Sequence, residues 1–366
     1  MKDANAPQPC RLIGETALLC SAGLGTKGGG VGVVAELIQR ALQQRFVVKH
    51  LEYTANQSLR SRLAFAVQVA REQIHGHSLQ VFSHIDLMRS LSMTPRVNLG
   101  GGRAANDVLF VHGIEVWKSL DSARSKALKS ARVLTNSNFT NNKMQQFHPQ
   151  ITHARVAHLG VDFGPNLNDA QIAAKKARVP TVVIVGRMSS GERYKGHDQL
   201  IDAWPDVLRR FPNAELLCIG GGDDVPRLAA KAQQLALANK VCFVQGLDNA
   251  ARDQLVQSAH LSAFPSTGEG FGLAAIEAAG LGLPVLAIEG TVVQEIFGAG
   301  NGALYCKSQS AAELASAICA AFQEPEQTLA AGQRASEFVR ANYTSEQFIA
   351  RFWQALDAPD LRVVAR

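Results

Sequence analysis

The chain has 366 residues, 46% of them hydrophobic and 19% charged, which is long enough for two cores and excludes a disordered or fibrous class. The net charge of +6 divides unevenly, with +9 over residues 1–175 and −3 over residues 176–366, so the first half is expected to face something anionic. Aromatic residues are only 6% and do not interleave with basic ones, which argues against a nucleic-acid surface and leaves a membrane surface or a pyrophosphate-bearing lipid.

Residues 1–11 are polar, with no apolar signal core behind a basic start, and no apolar run reaches the length of a membrane span; a cytoplasmic protein is expected. Short apolar runs then alternate with longer amphipathic ones. Strands are predicted near 16–22, 46–53, 79–83, 107–112, 131–136 and 154–158, with helices near 31–45, 58–75, 121–129 and 138–147. A polar, Ala-rich stretch around 160–179 marks a boundary. Strands near 180–185, 214–219, 241–244, 260–264, 284–287 and 303–305 follow, with helices near 196–210, 225–237, 249–258, 271–281 and 310–322. Helical patterns at 325–341 and 344–357 close the chain. Two βα series of this kind predict two Rossmann-like α/β domains with parallel sheets. Six scattered cysteines without paired spacing read as small buried hydrophobes.

Several strand ends carry chemistry. Gly23-Leu24-Gly25-Thr26-Lys27-Gly28-Gly29-Gly30 follows the first strand, and its Gly23-x-Gly25-x-x-Gly28 core matches a dinucleotide fingerprint, with Glu52 near the end of the next strand. An NAD-binding oxidoreductase is therefore an alternative, weakened because the helix pattern starts only at about Val31 and no hydride-transfer constellation accompanies it. His112-Gly113 ends a later strand, where α/β sheets bind ligands. Asn136-Ser137-Asn138 is expected to cap the next helix, and residues 98–103 form a Gly-rich loop. In the second half Gly186-Arg187 ends a strand, with Lys195-Gly196 eight residues beyond Arg187. Arg offers a fork and Lys a point charge, which suits a diphosphate whose charge grows as it leaves. Gly220, Gly221 and Gly222 permit close backbone approach, and Gln245-Gly246-Leu247 follows another strand. Finally, Phe264-Pro265-Ser266-Thr267-Gly268-Glu269-Gly270-Phe271-Gly272-Leu273 turns from a strand into a helix whose N-terminus would favour phosphate, and Glu277 lies about two turns deeper on that helix. Taken singly, each of these is also ordinary turn or corner chemistry.

Together they resemble the retaining glycosyltransferases of family 4, with their Glu-x7-Glu signature and GT-B fold, over roughly residues 16–357 and most strongly over 180–297. The resemblance implies an N-terminal acceptor-binding domain, residues 1–163, rejoined by residues 345–366 crossing back, and a nucleotide-sugar-binding domain, residues 175–344. It implies catalytic roles for Glu269, His112, Arg187 and Lys195, with Arg193 as a rival phosphate ligand. Donor-binding roles fall on Glu277 at the ribose and on Gly270, Phe271, Gly272, Leu273, Gly29, Gly30, Gly246 and Leu247. Ser137 and Thr140 resemble a Ser-x-x-Thr segment of the family. The donor would be a UDP- or GDP-hexose used as co-substrate, with no cofactor and no metal, and the acceptor a glycan or lipid-linked hydroxyl. Bacterial polysaccharide or lipid-linked glycan synthesis is the implied setting, by front-face attack with retention. One departure is the run Ile288-Glu289-Gly290-Thr291-Val292-Val293-Gln294-Glu295, where a family Gly-Gly pair and proline are missing. Arg60, Arg62 and Arg71, with Arg124, Lys126 and Lys129, are candidate contacts to an anionic inner membrane face. A GT-B epimerase or phosphorylase and a non-catalytic nucleotide-sugar binder are further alternatives.

Overall fold

The computed structural model describes residues 15–25, 29–53, 59–88, 107–165 and 179–357. Gly28, the Gly-rich loop 98–103, Cys10 and most of the boundary stretch, residues 166–178, lie outside the described residues. The chain divides into two compact units, Met1–Leu159 with Ser345–Arg366, and Gly160–Thr344.

The first unit is built on six parallel strands, β1 (Thr16–Ser21), β2 (Val47–Glu52), β3 (Leu79–Phe82), β4 (Asp107–Val111), β5 (Arg132–Thr135) and β6 (Arg155–Val156), in the order β2-β1-β3-β4-β5-β6. β1 and β4 read as unbroken apolar runs because helices cover both faces: Leu18, Leu19, Leu109 and Phe110 are fully buried. β2 is the edge and alternates, with Val47 67% exposed. The helices are α1 (Gly29–Gln43), α2 (Leu59–His75), α3 (Ile85–Met88), α4 (Ser122–Ser130) and α5 (Asn138–Phe147). Asp121 caps α4 by accepting from the Arg124 N–H, and Ser137 caps α5 by accepting from the Thr140 N–H at 2.9 Å, so the Ser-x-x-Thr pair is a helix start.

The second unit repeats the plan with β7 (Thr181–Val185), β8 (Glu215–Ile219), β9 (Val241–Val244), β10 (Leu261–Phe264), β11 (Val285–Ile288) and β12 (Ala303–Cys306), all parallel, in the order β12-β11-β10-β7-β8-β9. Its helices are α6 (His197–Arg210), α7 (Val225–Gln234), α8 (Asn249–Ser258), α9 (Leu273–Gly280), α10 (Val292–Phe297), α11 (Ala311–Gln323) and α12 (Pro325–Asn342). Trp204 of α6 is fully buried and anchors the core over Val182, Leu216 and Leu261. Val161 and Thr344 form a parallel bridge, so the residues entering and leaving this unit run side by side.

The last helix, α13 (Ser345–Asp357), belongs to the first unit. Phe348 and Phe352 are fully buried, and Phe348 meets Phe110 edge-on at 6.2 Å. Arg45 lies 4.0 Å over the Trp353 ring and makes a fork to Asp357 at 2.9 Å. Arg132 and Arg155 donate to the carbonyls of Leu356 and Ala355, groups that a helix C-terminus leaves without partners.

Three expectations need correcting. α1 starts at Gly29, not at about residue 31, and the close approach expected of a fingerprint glycine falls elsewhere: a Cβ on Gly32 would sit 2.3 Å from the Gly25 carbonyl oxygen. Gly29 and Gly30 have open space around them, and Gly28, the third glycine of the fingerprint, lies outside the described residues. The helix predicted over 271–281 begins at Leu273, because Gly272 caps it in the left-handed region at φ +87°. Cys20, Cys218, Cys306 and Cys319 are free and buried as expected, but Cys242 is exposed.

Candidate functional site

In an open parallel sheet the strand order reverses at one point, and ligands bind beside the carboxyl ends of the strands there. In the second unit that point lies between β7 and β10, paired through Leu261–Val182 and Ser262–Val183. The loop after β7 carries Arg187 and Lys195, and the loop after β10 carries Glu269. The fold brings them together: Lys195 Nζ is 3.1 Å from Glu269 Oε1. Glu192 holds both cations. Its carboxylate accepts from Arg187 Nε at 3.1 Å and Nη2 at 2.5 Å, and lies 3.7 Å from Lys195 Nζ.

The two loops are fastened to each other and to Gln309, which lies outside the motifs. The Tyr194 carbonyl accepts from the Thr267 N–H at 3.2 Å and from Gln309 Nε2 at 2.8 Å, while Gln309 Nε2 also donates to the Pro265 carbonyl at 2.7 Å. The Tyr194 ring lies against Gly268, where any side chain would collide with it. Burial and the neighbouring Glu269 carboxylate push the Tyr194 hydroxyl up, so it stays a neutral phenol. Gly220 and Gly222 are required by the protein itself: a Cβ on either would sit 2.2 Å from the Gly186 carbonyl oxygen or 1.9 Å from that of Met188. His197, at the start of α6, is 4% exposed with a buried Nε2 that has no hydrogen-bond partner. Burial, then the Lys195 charge, lowers its pKa to about 4, so the imidazole is neutral at pH 7. Arg193 reaches Asp224 at 3.3 Å, away from the Arg187–Glu192 pair.

Beyond Glu269, Gly270 is buried, and Phe271 is 3% exposed with its ring edge-on to Tyr343 at 6.0 Å. The expectation of a donor contact from Phe271 is therefore limited to its backbone. Leu273 opens α9, whose first N–H groups have no acceptor within the helix; those of Ala275 and Ile276 turn back to the Gly272 carbonyl. Glu277, 31% exposed, lies deeper on α9 with Arg252 of α8 at 4.0 Å. Burial pushes its carboxyl up, against the pull of Arg252. Gly246, at φ +72°, and Leu247, 38% exposed, lie past β9 on an exposed turn. At the departure after β11, Gln294 accepts from the Gly290 N–H at 2.6 Å, and this contact closes the turn into α10.

The strand order of the first unit reverses between β1 and β3. Ser21, ending β1, shares a 2.8 Å hydrogen bond with His50 Nε2. His112 follows β4. Its Nε2 must donate to the Ser83 carbonyl, 2.6 Å away, which leaves Nδ1 as the acceptor nitrogen. Its N–H donates to Glu115, its carbonyl accepts from Asn136 Nδ2 at 2.8 Å, and its ring stacks on His84 at 6.2 Å. Burial lowers its pKa, so His112 is neutral at pH 7. Of the expected surface cations, Arg124 is engaged by Asp86 at 2.5 Å and Asp121 at 2.9 Å, whereas Arg60, Arg62, Arg71, Lys126 and Lys129 are exposed. Among the described residues no three His, Cys, Asp or Glu side chains are grouped to hold a metal ion, and no helix is long and apolar enough to cross a membrane.

Residues 167–338 match the family described as glycosyl transferases group 1. The chain is 26% identical over 286 residues, 73% of each chain, to the GDP-mannose-dependent alpha-(1-6)-phosphatidylinositol monomannoside mannosyltransferase of Mycobacterium tuberculosis. It is 34% identical over 129 residues to the phosphatidyl-myo-inositol mannosyltransferase of the same organism, covering 35% of this chain and 33% of that one. Among solved structures it resembles Anabaena HepE in complex with UDP, with a TM-score of 0.72 and 18% identity over 94% of this chain and 100% of that one. It also resembles sucrose-phosphate synthase from Thermosynechococcus elongatus, with a TM-score of 0.74 and 20% identity over 94% of this chain and 98% of that one. Two parallel-sheet units with these neighbours, and a second unit matched along most of its length, make the chain a glycosyltransferase of the GT-B fold, related to the group 1 enzymes.

Proposed function

We propose that the chain is a family 4, retaining hexosyltransferase that takes its sugar from a GDP- or UDP-hexose and delivers it to a hydroxyl of a glycan or lipid-linked acceptor. The observation that carries this is the 3.1 Å contact between Lys195 and Glu269 at the β7/β10 reversal, which joins a phosphate-binding pair to a sugar-binding carboxylate. The mycobacterial relative is named for GDP-mannose and a phosphatidylinositol mannoside, and HepE was solved with UDP, which supports both nucleotides as candidates.

In this reading Arg187, Lys195 and the first N–H groups of α9 meet the diphosphate, and their interaction strengthens as the bond from the anomeric carbon to phosphate breaks and its electrons pass to the diphosphate. Glu269 holds the sugar hydroxyls and Glu277 the ribose. The acceptor oxygen forms its bond on the face the diphosphate leaves, and its proton passes to a leaving phosphate oxygen. His112, neutral, supplies an acceptor at Nδ1 and not a cation. Positive charge comes from side chains, without metal. On the first unit, the outward face of α2 alternates Arg60 and Arg71 with Leu63, Val67 and Ile74, which are 44%, 50% and 60% exposed. That face suits an anionic lipid surface, in line with a lipid-linked acceptor and a peripheral place at the inner membrane face.

The test is a panel of GDP- and UDP-hexoses, GDP-mannose among them, followed by thermal stabilisation and by release of nucleoside diphosphate. One donor should stabilise the chain, since binding to the native state raises stability by mass action. Stabilisation by none of them would contradict the proposal.

A further inference from the structure

We propose that Glu192 is a built-in competitor for the diphosphate group, a carboxylate that holds Arg187 and Lys195 and must yield them whenever a nucleotide phosphate binds. The inference rests on the function proposed above. Its ground is the geometry of one side chain. The Arg187 guanidinium makes a fork to Glu192, with Nε at 3.1 Å from Oε2 and Nη2 at 2.5 Å from Oε1. The same two N–H groups are those a guanidinium offers to a pair of phosphate oxygens. Lys195 Nζ stands 3.7 Å from the same carboxylate and 3.1 Å from Glu269. Glu192 therefore touches both cations of the pair, and Glu269 only one.

Charge leads to the same conclusion. Arg187 and Lys195 against Glu192 and Glu269 give a formal net charge of zero, a poor field for a group bearing two or more negative charges. Without Glu192 the same set is positive. A diphosphate on Arg187 would also lie beside the Glu192 carboxylate, and like charges so placed disfavour binding. Stability alone does not account for the pair. The Arg187 side chain is 66% exposed, and ion pairs that open to water contribute little to folding. The placement is local. Glu192 interrupts the 3-10 turn Ser190–Lys195 with φ −126° and ψ 31°, and its own N–H donates to the Ser189 carbonyl at 2.9 Å. Arg193, the remaining cation of the turn, reaches Asp224 at 3.3 Å, which Arg227 also holds at 2.6 Å. The consequence is weaker nucleotide binding and faster loss of the nucleoside diphosphate product, because Glu192 retakes the cations as the phosphates leave.

The experiment is calorimetric titration of UDP and of GDP into wild type, Glu192→Gln, Arg187→Ala and the Glu192→Gln/Arg187→Ala double variant, with melting temperatures recorded for each. The bound nucleoside diphosphate should gain about tenfold in affinity on Glu192→Gln, the scale of removing one close like charge. Most of that gain should vanish in the Arg187→Ala background. A merely structural role would give unchanged or weaker binding in Glu192→Gln. Unchanged or weaker binding, with wild type still binding UDP or GDP, would overturn the inference and leave the functional proposal standing. A gain of equal size with and without Arg187 would overturn it too. Absence of UDP and GDP binding to wild type and every variant would overturn the functional proposal itself, and this inference with it. If Glu192→Gln melts far below wild type, Glu192→Asp, which keeps the charge on a shorter arm, supplies the comparison: it should show a smaller gain, and no gain counts against competition.

Discussion

Arg187 and Lys195 face the β7/β10 reversal, where they meet Glu192 and Glu269. If they stabilise a leaving diphosphate, removing either should cost turnover more than binding. Arg187→Ala and Lys195→Ala are each expected to lower kcat by about tenfold to a thousandfold, the scale of a lost oxyanion donor. Steady-state kinetics with the accepted donor checks this, and full turnover by the double variant would contradict it. Glu277→Ala should instead weaken nucleoside diphosphate binding, read by titration, and unchanged affinity would remove Glu277 from the ribose. At this scale the sequence was informative wherever a motif is contiguous. Gly186-Arg187, Lys195-Gly196, Glu269 and Glu277 stand out by local spacing. Their partners do not: Gln309 joins Tyr194 to Pro265, and Arg252 faces Glu277, through contacts that arise only when distant loops meet. Phe271 divides its roles, since its ring packs edge-on to Tyr343 and only its backbone is left for the expected donor contact.

The start of α6 joins site and stability. His197 is buried and neutral, with its pKa lowered to about 4, and Asp198 beside it is lowered to about 2, chiefly by its hydrogen bonds from Arg227. For His197 the unfolded chain binds the proton more readily, so the second unit should lose stability as pH falls from about 6.5 to 4, by on the order of 3 kcal/mol. Asp198 adds a second loss as pH falls from its usual value near 3.8 toward 2, because its depressed pKa stabilises only the charged form. Hydrogen-exchange protection of β7 and β8 against pH checks both, with His197→Gln expected to flatten the upper window only. An unchanged slope between 6.5 and 4 in that variant would contradict the assignment. The long elements were legible because hydrophobic period and caps agree, as in α5 with Ser137. The short ones were not. α10 and the 3-10 turn Ser190–Lys195 have too few residues to show a period, and Gln294 closes the α10 entry with a side chain where a different sequence was expected.

Over the whole molecule the asymmetry of charge is the largest feature that the catalytic proposal leaves unused. In the membrane proposal the candidate contact is the α2 face with Arg60, Leu63, Val67, Arg71 and Ile74, while Arg124 is withdrawn by Asp86 and Asp121. Co-sedimentation should show binding to vesicles with anionic lipid, little to neutral ones, and loss at high salt, since screening acts within about a Debye length. Leu63→Ser together with Val67→Ser should weaken it, and equal binding to both vesicle types would rule out the electrostatic part. The α/β class and the two sheets could be read from alternating strands and helices, but strand order could not, because sequence spacing carries no record of which strand lies beside which. That order, reversed between β7 and β10, is what makes two motifs one site. The most direct test of that site is a transfer assay with the nucleotide sugar that best stabilises the chain, run on wild type, Lys195→Ala and Glu269→Ala. Wild type should release nucleoside diphosphate and form a product that keeps the donor's anomeric configuration, and both variants should lose most of that activity; transfer that survives in both, or an inverted product, would contradict the account.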